Sequence, residues 1–429
     1  MVDATVHTLD NGLTVVLEED QRTDHIALHL HYGVGSRDER PGEYGCAHLF
    51  EHVMFEGSAH VPGSGFDEWL TAAGGWNNAF TSEDETAYYM VFPSGALDLA
   101  LFLESDRMGF LQEGLTEENL DNQQQVVLQE RAEGYAAPNG RDYDALSRLQ
   151  FPEGHPYHIP VIGTVADVEG FELEAVRDFW RRHYRPQNAV LGLVGRFDTE
   201  AVLARVEHWF ADVPDPGPPE SRAERAEVAA VPREGLLEDQ VEDWSMYLSW
   251  QTVPRGHPDE PALDLLGWIL VGGRGTRLDD RLYYKHSLVV DNEAWHAASE
   301  IDGQFVIEAA SDVPRLPRLE RIVEKELARM ARKPPSDEEV ERARRQVKSG
   351  VLDSLEEPAA RAEWLVDCQR LRGKPDCLVE EWGRYEAVTP EDIRRVVGSY
   401  LVPERRVTLS VVPQGAGGAL EGAEPVELP

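Results

Sequence analysis

Positive charge, cysteine and long apolar runs are all scarce in this 429-residue chain, and each scarcity narrows what it can do. Lys and Arg number 41 against 79 Asp and Glu, giving a formal net charge of −38. Such a field repels nucleic acid and anionic membrane surfaces, so neither is expected as a partner. It favours solubility and, on the substrate side, cationic peptides. No apolar run approaches the ~20 residues that a membrane-spanning helix needs. The first residues, MVDATVHTLDNGLTVVLEED, contain neither the basic nor the apolar region of a signal peptide. That predicts a cytoplasmic protein, or a periplasmic or secreted one if a signal peptide has been removed. The cysteines, Cys46, Cys368 and Cys377, are odd in number and lack C-x-x-C spacing. They predict neither a disulfide framework nor a thiolate zinc site, and Cys46 reads as a small buried thiol.

Apolar residues make up 41% of the chain, ordinary for a globular protein, and the length exceeds what one core usually serves. Residues 211–235, ADVPDPGPPESRAERAEVAAVPREG, are rich in Pro, Glu and Arg without apolar periodicity, as in an extended linker. The flanking halves resemble each other. LEAVRDFWRRHYRPQNAVLGLVG (173–195) and PEDIRRVVGSYLVPERRVTLSVV (390–412) align without a gap. The alignment sets Glu174 on Glu391, Val176 on Ile393, Arg177 on Arg394, Pro186 on Pro403, Val190 on Val407 and Val194 on Val411. Each is an amphipathic helix, a proline-marked turn and a β-branched strand, the mark of a duplicated unit. Helices and strands mix without regular βαβ alternation, which predicts α+β. The expected organisation is two homologous α+β domains of about 210 residues each. Their boundaries are 1–213, a linker at 214–235, 236–413, and a tail at 414–429.

Within the first half, CAHLFEHVMFEG places His48 and His52 four residues apart with Glu51 between them. On a helix these share one face, so two imidazoles can converge on one ion with a carboxylate beside them. Two histidines leave a catalytic zinc short of one protein ligand and one open position. On these residues alone, a metal site and a hydrogen-bonded surface cluster both remain open. At the corresponding place the second half carries ALDLLGWIL, without histidine, so only one half can hold such a site.

The surrounding sequence closes that choice. YGVGSRDERPGEYGCAHLFEHVMFEGS, GGWNNAFTSEDETAYYMVFP (74–93) and ENLDNQQQVVLQERAEGY (118–135) resemble the pitrilysin, or inverzincin, zinc peptidases. The similarity is to the branch that includes mitochondrial processing peptidase. It implies one Zn²⁺ per chain held by His48, His52 and Glu130, with Glu51 as the general base that activates water for attack on a peptide bond. Glu133, one turn beyond Glu130, is a competing third ligand, but VVLQE fits the family pattern at Glu130. Gln123 stands where relatives often carry a site-supporting Glu. The resemblance further implies that Asn78, Ala79 and Thr81 lie on an edge strand to which an extended substrate adds.

Relatives that act alone supply an Arg and a Tyr from the second half. Aligning Thr276-Arg277-Leu278 on the family's Ser-Arg-Leu puts Tyr283 and Val290 at those positions, so both helpers are missing unless Arg281 or Tyr284 replaces them. The resemblance then implies a heterodimer with a homologous Arg/Tyr-bearing subunit, with a homodimer as the alternative. The expected function is a zinc endopeptidase acting on peptides or unfolded segments. The alternatives are a non-catalytic scaffold subunit and a metal-dependent hydrolase of other substrates.

Overall fold

The structure, a computed structural model, describes residues 4–220, 222, 232–420 and 423–428. Residues 221 and 223–231 of the expected linker, and 421, 422 and 429 of the expected tail, lie outside the described residues.

The strands are β1 (Ala4–Thr8), β2 (Thr14–Glu19), β3 (His25–Tyr32), β4 (Trp76–Thr81), β5 (Thr86–Pro93) and β6 (Ala189–Gly195), then β7 (Arg233–Asp239), β8 (Trp244–Gln251), β9 (Asp291–Ala298), β10 (Gly303–Ser311), β11 (Arg406–Pro413) and β12 (Glu424–Pro425). The helices begin with α1 (Cys46–Val53), α2 (Gly65–Ala72), α3 (Leu97–Gly114), α4 (Glu117–Ala136), α5 (Asp142–Gln150), α6 (Val165–Gly170), α7 (Leu173–His183) and α8 (Thr199–Phe210). They continue with α9 (Glu260–Leu270), α10 (Leu316–Met330), α11 (Asp337–Ser354), α12 (Pro358–Arg372), α13 (Leu378–Ala387) and α14 (Pro390–Tyr400). Among the described residues no helix is long and apolar enough to cross a membrane.

The strands form two six-stranded sheets of matching plan. One runs β1-β2-β6-β3-β5-β4 and the other β12-β7-β11-β8-β10-β9. In each, one internal pair is parallel, β2 with β6 and β7 with β11, and the four strands beyond are joined antiparallel; the outer pairs differ, β1 joining β2 antiparallel and β12 joining β7 parallel. The aligned segments of the two halves occupy equivalent places. α7 and α14 each run eleven residues and lead through a proline-started turn into β6 and β11. The α+β expectation holds, and the mixed pairing explains why no regular βαβ pattern shows in the sequence.

The compact units are not contiguous in sequence. One takes the described residues of Met1–Glu130, Ile159–Ala223 and Leu352–Val379; the other takes those of Arg131–His158, Glu224–Val351 and Glu380–Pro429. The contiguous division at 1–213 and 236–413 therefore misses an exchange of segments. Its cause is apolar. Ala362 and Leu365 of α12 pack with Val16, Ala27 and Val194 of the first sheet, whereas Ala145 and Leu146 of α5 pack with Leu237, Val407 and Leu409 of the second. At Gly192 on β6 a Cβ would lie 2.6 Å from the Val366 side chain, so α12 can settle on this strand only over a glycine.

In the first unit β3 is buried on both faces, although His29 and His31 share the second face with Ala27. Ile26, Leu28, Leu30 and Tyr32 face the larger core, which α1, α3 and α7 complete, and Ala27 faces α12. The cysteine expectation needs correction: Cys368, on α12, and Cys377 are joined by a disulfide. The helix ends at Gly373 in a left-handed turn (φ 70°), which folds the following residues back on the last helical turn. Cys46 is free and buried, as expected.

Candidate metal centre

α1 shows why the HLFEH segment folds with its polar groups on one side. Cys46, Ala47, Leu49, Phe50 and Val53 are buried, an i, i+1, i+3, i+4, i+7 stripe that drives the helix into the first core. The helix lies over β4 and β5, and the Tyr88 hydroxyl donates to the Phe50 carbonyl at 3.3 Å. His48, Glu51 and His52 are left on the less buried face, with the two imidazole rings 5.0 Å apart.

The third group arrives from α4. Glu130 Oε2 lies 3.3 Å from His52 Nε2 and 3.8 Å from His48 Nε2. One donor atom from each of the three residues lies within 4.8 Å of the others, a separation one cation can bridge after small side-chain movements. Glu133, the competing carboxylate, is not in this group. Burial, reinforced by the neighbouring His52, lowers the His48 pKa to about 4, so its ring is a neutral donor at physiological pH, as a metal ligand must be. α4 is fastened close to α1: Asn119 Nδ2 donates to the Glu56 carbonyl at 2.9 Å, and Gln123 Nε2 donates to Glu56 Oε1 at 2.5 Å. Gln123 thus anchors the ligand-bearing helix through the segment after α1.

Glu51 stands beside the donor set and has another partner. Thr81 Oγ1, on β4, donates to Glu51 Oε2 at 2.7 Å. Burial raises the Glu51 pKa, opposed by the Thr81 bond and by His52. Of the residues expected on the substrate strand, Asn78 accepts from the Ala79 N–H at 2.8 Å, and Ala79 packs against the core. The Thr81 hydroxyl is committed to the base. β4 ends its sheet, pairing with β5 on one side.

A profile described as "Insulinase (Peptidase family M16)" matches residues 14–155, and one described as "Peptidase M16 inactive domain" matches 170–347. The chain belongs to peptidase family M16. Among its M16 relatives, an uncharacterised zinc protease of Streptomyces coelicolor is 28% identical over 94% of this chain and 88% of the relative. The zinc protease PqqE of Helicobacter pylori is 30% identical over 66% of this chain and 64% of its own length. A crystal structure of a protease from Helicobacter pylori has the same fold, with a TM-score of 0.89 at 24% identity over 96% of this chain and all of that one. A putative M16-like peptidase from Alicyclobacillus acidocaldarius follows at 0.85 and 22%, over 96% and 99%.

Among the described residues no such donor group lies on α9, where Asp264, paired with His296 at 2.7 Å, and the exposed Trp268 interrupt an otherwise buried apolar helix. Gly267 lies so near β9 that a Cβ would meet the Ala294 carbonyl at 2.7 Å. Arg277 pairs with Glu326 at 3.1 Å and Glu339 at 2.7 Å. Arg281, a candidate stand-in for the missing arginine, pairs at 2.9 Å with Glu326, which is itself buried. Tyr283 and Tyr284 are half-exposed, as is Val290.

Sequence spacing does not reveal a second group, His31, Glu85 and Asp367, because α12 brings Asp367 in from the far half of the chain. Arg370 lies 2.9 Å from Glu85 and 3.5 Å from Asp367 and supplies the positive charge there.

Proposed function

We propose that this M16 chain is a zinc endopeptidase acting on peptides or unfolded polypeptide segments, as the metal-bearing subunit of a heterodimer. The observation that carries the reading is the convergence of His48, His52 and Glu130, from two helices, beside a carboxylate outside the donor set. Two imidazoles and one carboxylate suit zinc and leave a coordination position for chemistry. A zinc ion held there supplies Lewis-acid activation of water and of the scissile carbonyl.

The chain's own groups do the rest. Glu51 accepts a proton from the attacking water and passes it to the leaving amine nitrogen. Thr81 holds one Glu51 oxygen and leaves the other for that proton. The edge of β4 offers main-chain donors and acceptors to an extended substrate, with Asn78 and Ala79 along it. The heterodimer is favoured because Arg281 is tied to Glu326 and because Tyr283 and Val290 stand where Arg and Tyr are needed. The Cys368–Cys377 bridge fits an oxidising compartment, which favours a periplasmic or secreted protein over a cytoplasmic one.

The test is hydrolysis of internally quenched peptides by the zinc-loaded chain, alone and with a homologous Arg/Tyr-bearing subunit. Slow internal cleavage alone, stimulated by that subunit, is the expected result. Full activity without stimulation would establish a self-sufficient homodimer or monomer, and no metal-dependent cleavage in either mixture would sink the proposal. A finer expectation concerns Thr81. Thr81→Val keeps shape and strand but removes the hydrogen bond to the base, and kcat should fall roughly tenfold with zinc content and KM little changed. An unchanged kcat would mean that the bond does not orient Glu51.

A further inference from the structure

α1 is eight residues long and carries both histidines and the base, yet its amino terminus lacks the usual cap. The N-cap is Gly45, in the left-handed region (φ 96°), with no side chain to accept from the first turn. No other residue fits there. A Cβ on Gly45 would lie 2.8 Å from the Ile162 carbonyl and 2.9 Å from the Gly163 Cα, so Ser, Thr, Asp and Asn are excluded by space as well as by conformation. The amides of the first turn need an acceptor from elsewhere.

Glu39 provides it. Its Oε2 accepts from the Gly45 N–H at 3.0 Å and its Oε1 from the Ala47 N–H at 2.8 Å, so one carboxylate spans the entry to the helix. Glu43, four residues on, ties the same entry segment to α7 through Arg182 at 2.6 Å. The next residue after Ala47 is His48. Metal-bound histidines are ordinarily aimed by an acceptor on their second nitrogen. His48 Nδ1 is buried and has no hydrogen-bond partner among the described residues. With no acceptor to aim the ring, its position depends on the backbone turn beneath it.

We propose that Glu39 is a positioning residue of the metal centre: by capping α1 at Gly45 and Ala47 it fixes the turn that aims His48. This rests on the zinc-binding reading above. The experiment measures zinc affinity of the full chain by competition with a fluorescent chelator for the unaltered protein, Glu39→Gln and Glu39→Ala. The absorption of the cobalt-loaded proteins and the melting of the metal-free proteins accompany it. Glu39→Ala should weaken zinc about tenfold or more and alter the cobalt spectrum. Glu39→Gln, which keeps one acceptor oxygen and nearly the same volume, should weaken it about threefold, and it decides the matter if the alanine variant does not fold. Affinities within about twofold of the unaltered protein, with an unchanged cobalt spectrum, overturn the proposal even if melting temperatures fall. Absence of zinc binding in the unaltered protein overturns the zinc reading itself, a result distinguishable from equal affinities in all three.

Discussion

Glu51→Gln should abolish peptide hydrolysis and leave one zinc per chain. The glutamine has the shape of the residue it replaces and still presents a carbonyl oxygen to Thr81, so α1 and β4 keep their contact. It lies outside the His48, His52 and Glu130 donor set, so metal content should not change. What is lost is the ability to take a proton. General-base catalysis contributes about 10²–10⁴-fold, and here one carboxylate serves both proton transfers, so a loss of at least about 10³ in kcat is expected. Metal analysis and peptide turnover on the same samples check it. Retention of a tenth of the activity would move the base elsewhere. Loss of zinc with activity would mean that Glu51 holds the metal instead of the proton.

The parts of this site that lie close together in the chain are legible in the amino-acid sequence. His48, Glu51 and His52 share a helix face whose other side is an apolar stripe, so periodicity alone places them together. The duplication is equally open, since α7 and α14 and the strands after them keep one constant offset. Glu130 needs the family resemblance, because nothing local to α4 distinguishes it from Glu133. Contacts made by tertiary packing are not legible. Thr81 reads as a substrate contact because an alternating strand does not reveal which side chain reaches a neighbouring helix. The exchange of α5 and α12 is invisible to composition, since nothing in either helix names the sheet that its buried residues will meet. The Cys368–Cys377 bridge escapes notice because a spacing of nine suggests no pairing until Gly373 reverses the chain. Nothing in the sequence singles out Glu39 among 79 acidic residues, and its role appears only when Gly45 is seen to have no room for a cap.

The largest effect on metal binding should come from Glu130→Gln, and its comparison with Glu133→Gln fixes the register of the third ligand. α4 is anchored to residue 56 through Asn119 and Gln123, more than a turn before Glu130, so neither substitution should disturb the helix. Glutamine at 130 keeps size and polarity but removes the only negative charge in the donor set. Two neutral imidazoles and a neutral amide make a poor site for a divalent cation. Altering a group that merely supports a ligand costs about 10–100-fold in affinity, so losing the ligand's charge should cost at least about 100-fold. Melting of the metal-free protein should hardly change, because Glu130 is about half exposed and its contacts are with the two histidines. Turnover at limiting zinc should fall in parallel. Glu133→Gln, one turn further along the helix, should bind zinc within about twofold of the unaltered chain. If Glu133→Gln loses the metal while Glu130→Gln keeps it, the true ligand lies one turn later. α4 would then have to sit differently against α1, and the 3.3 Å approach of Glu130 to His52 would be an ion pair rather than half of a coordination sphere.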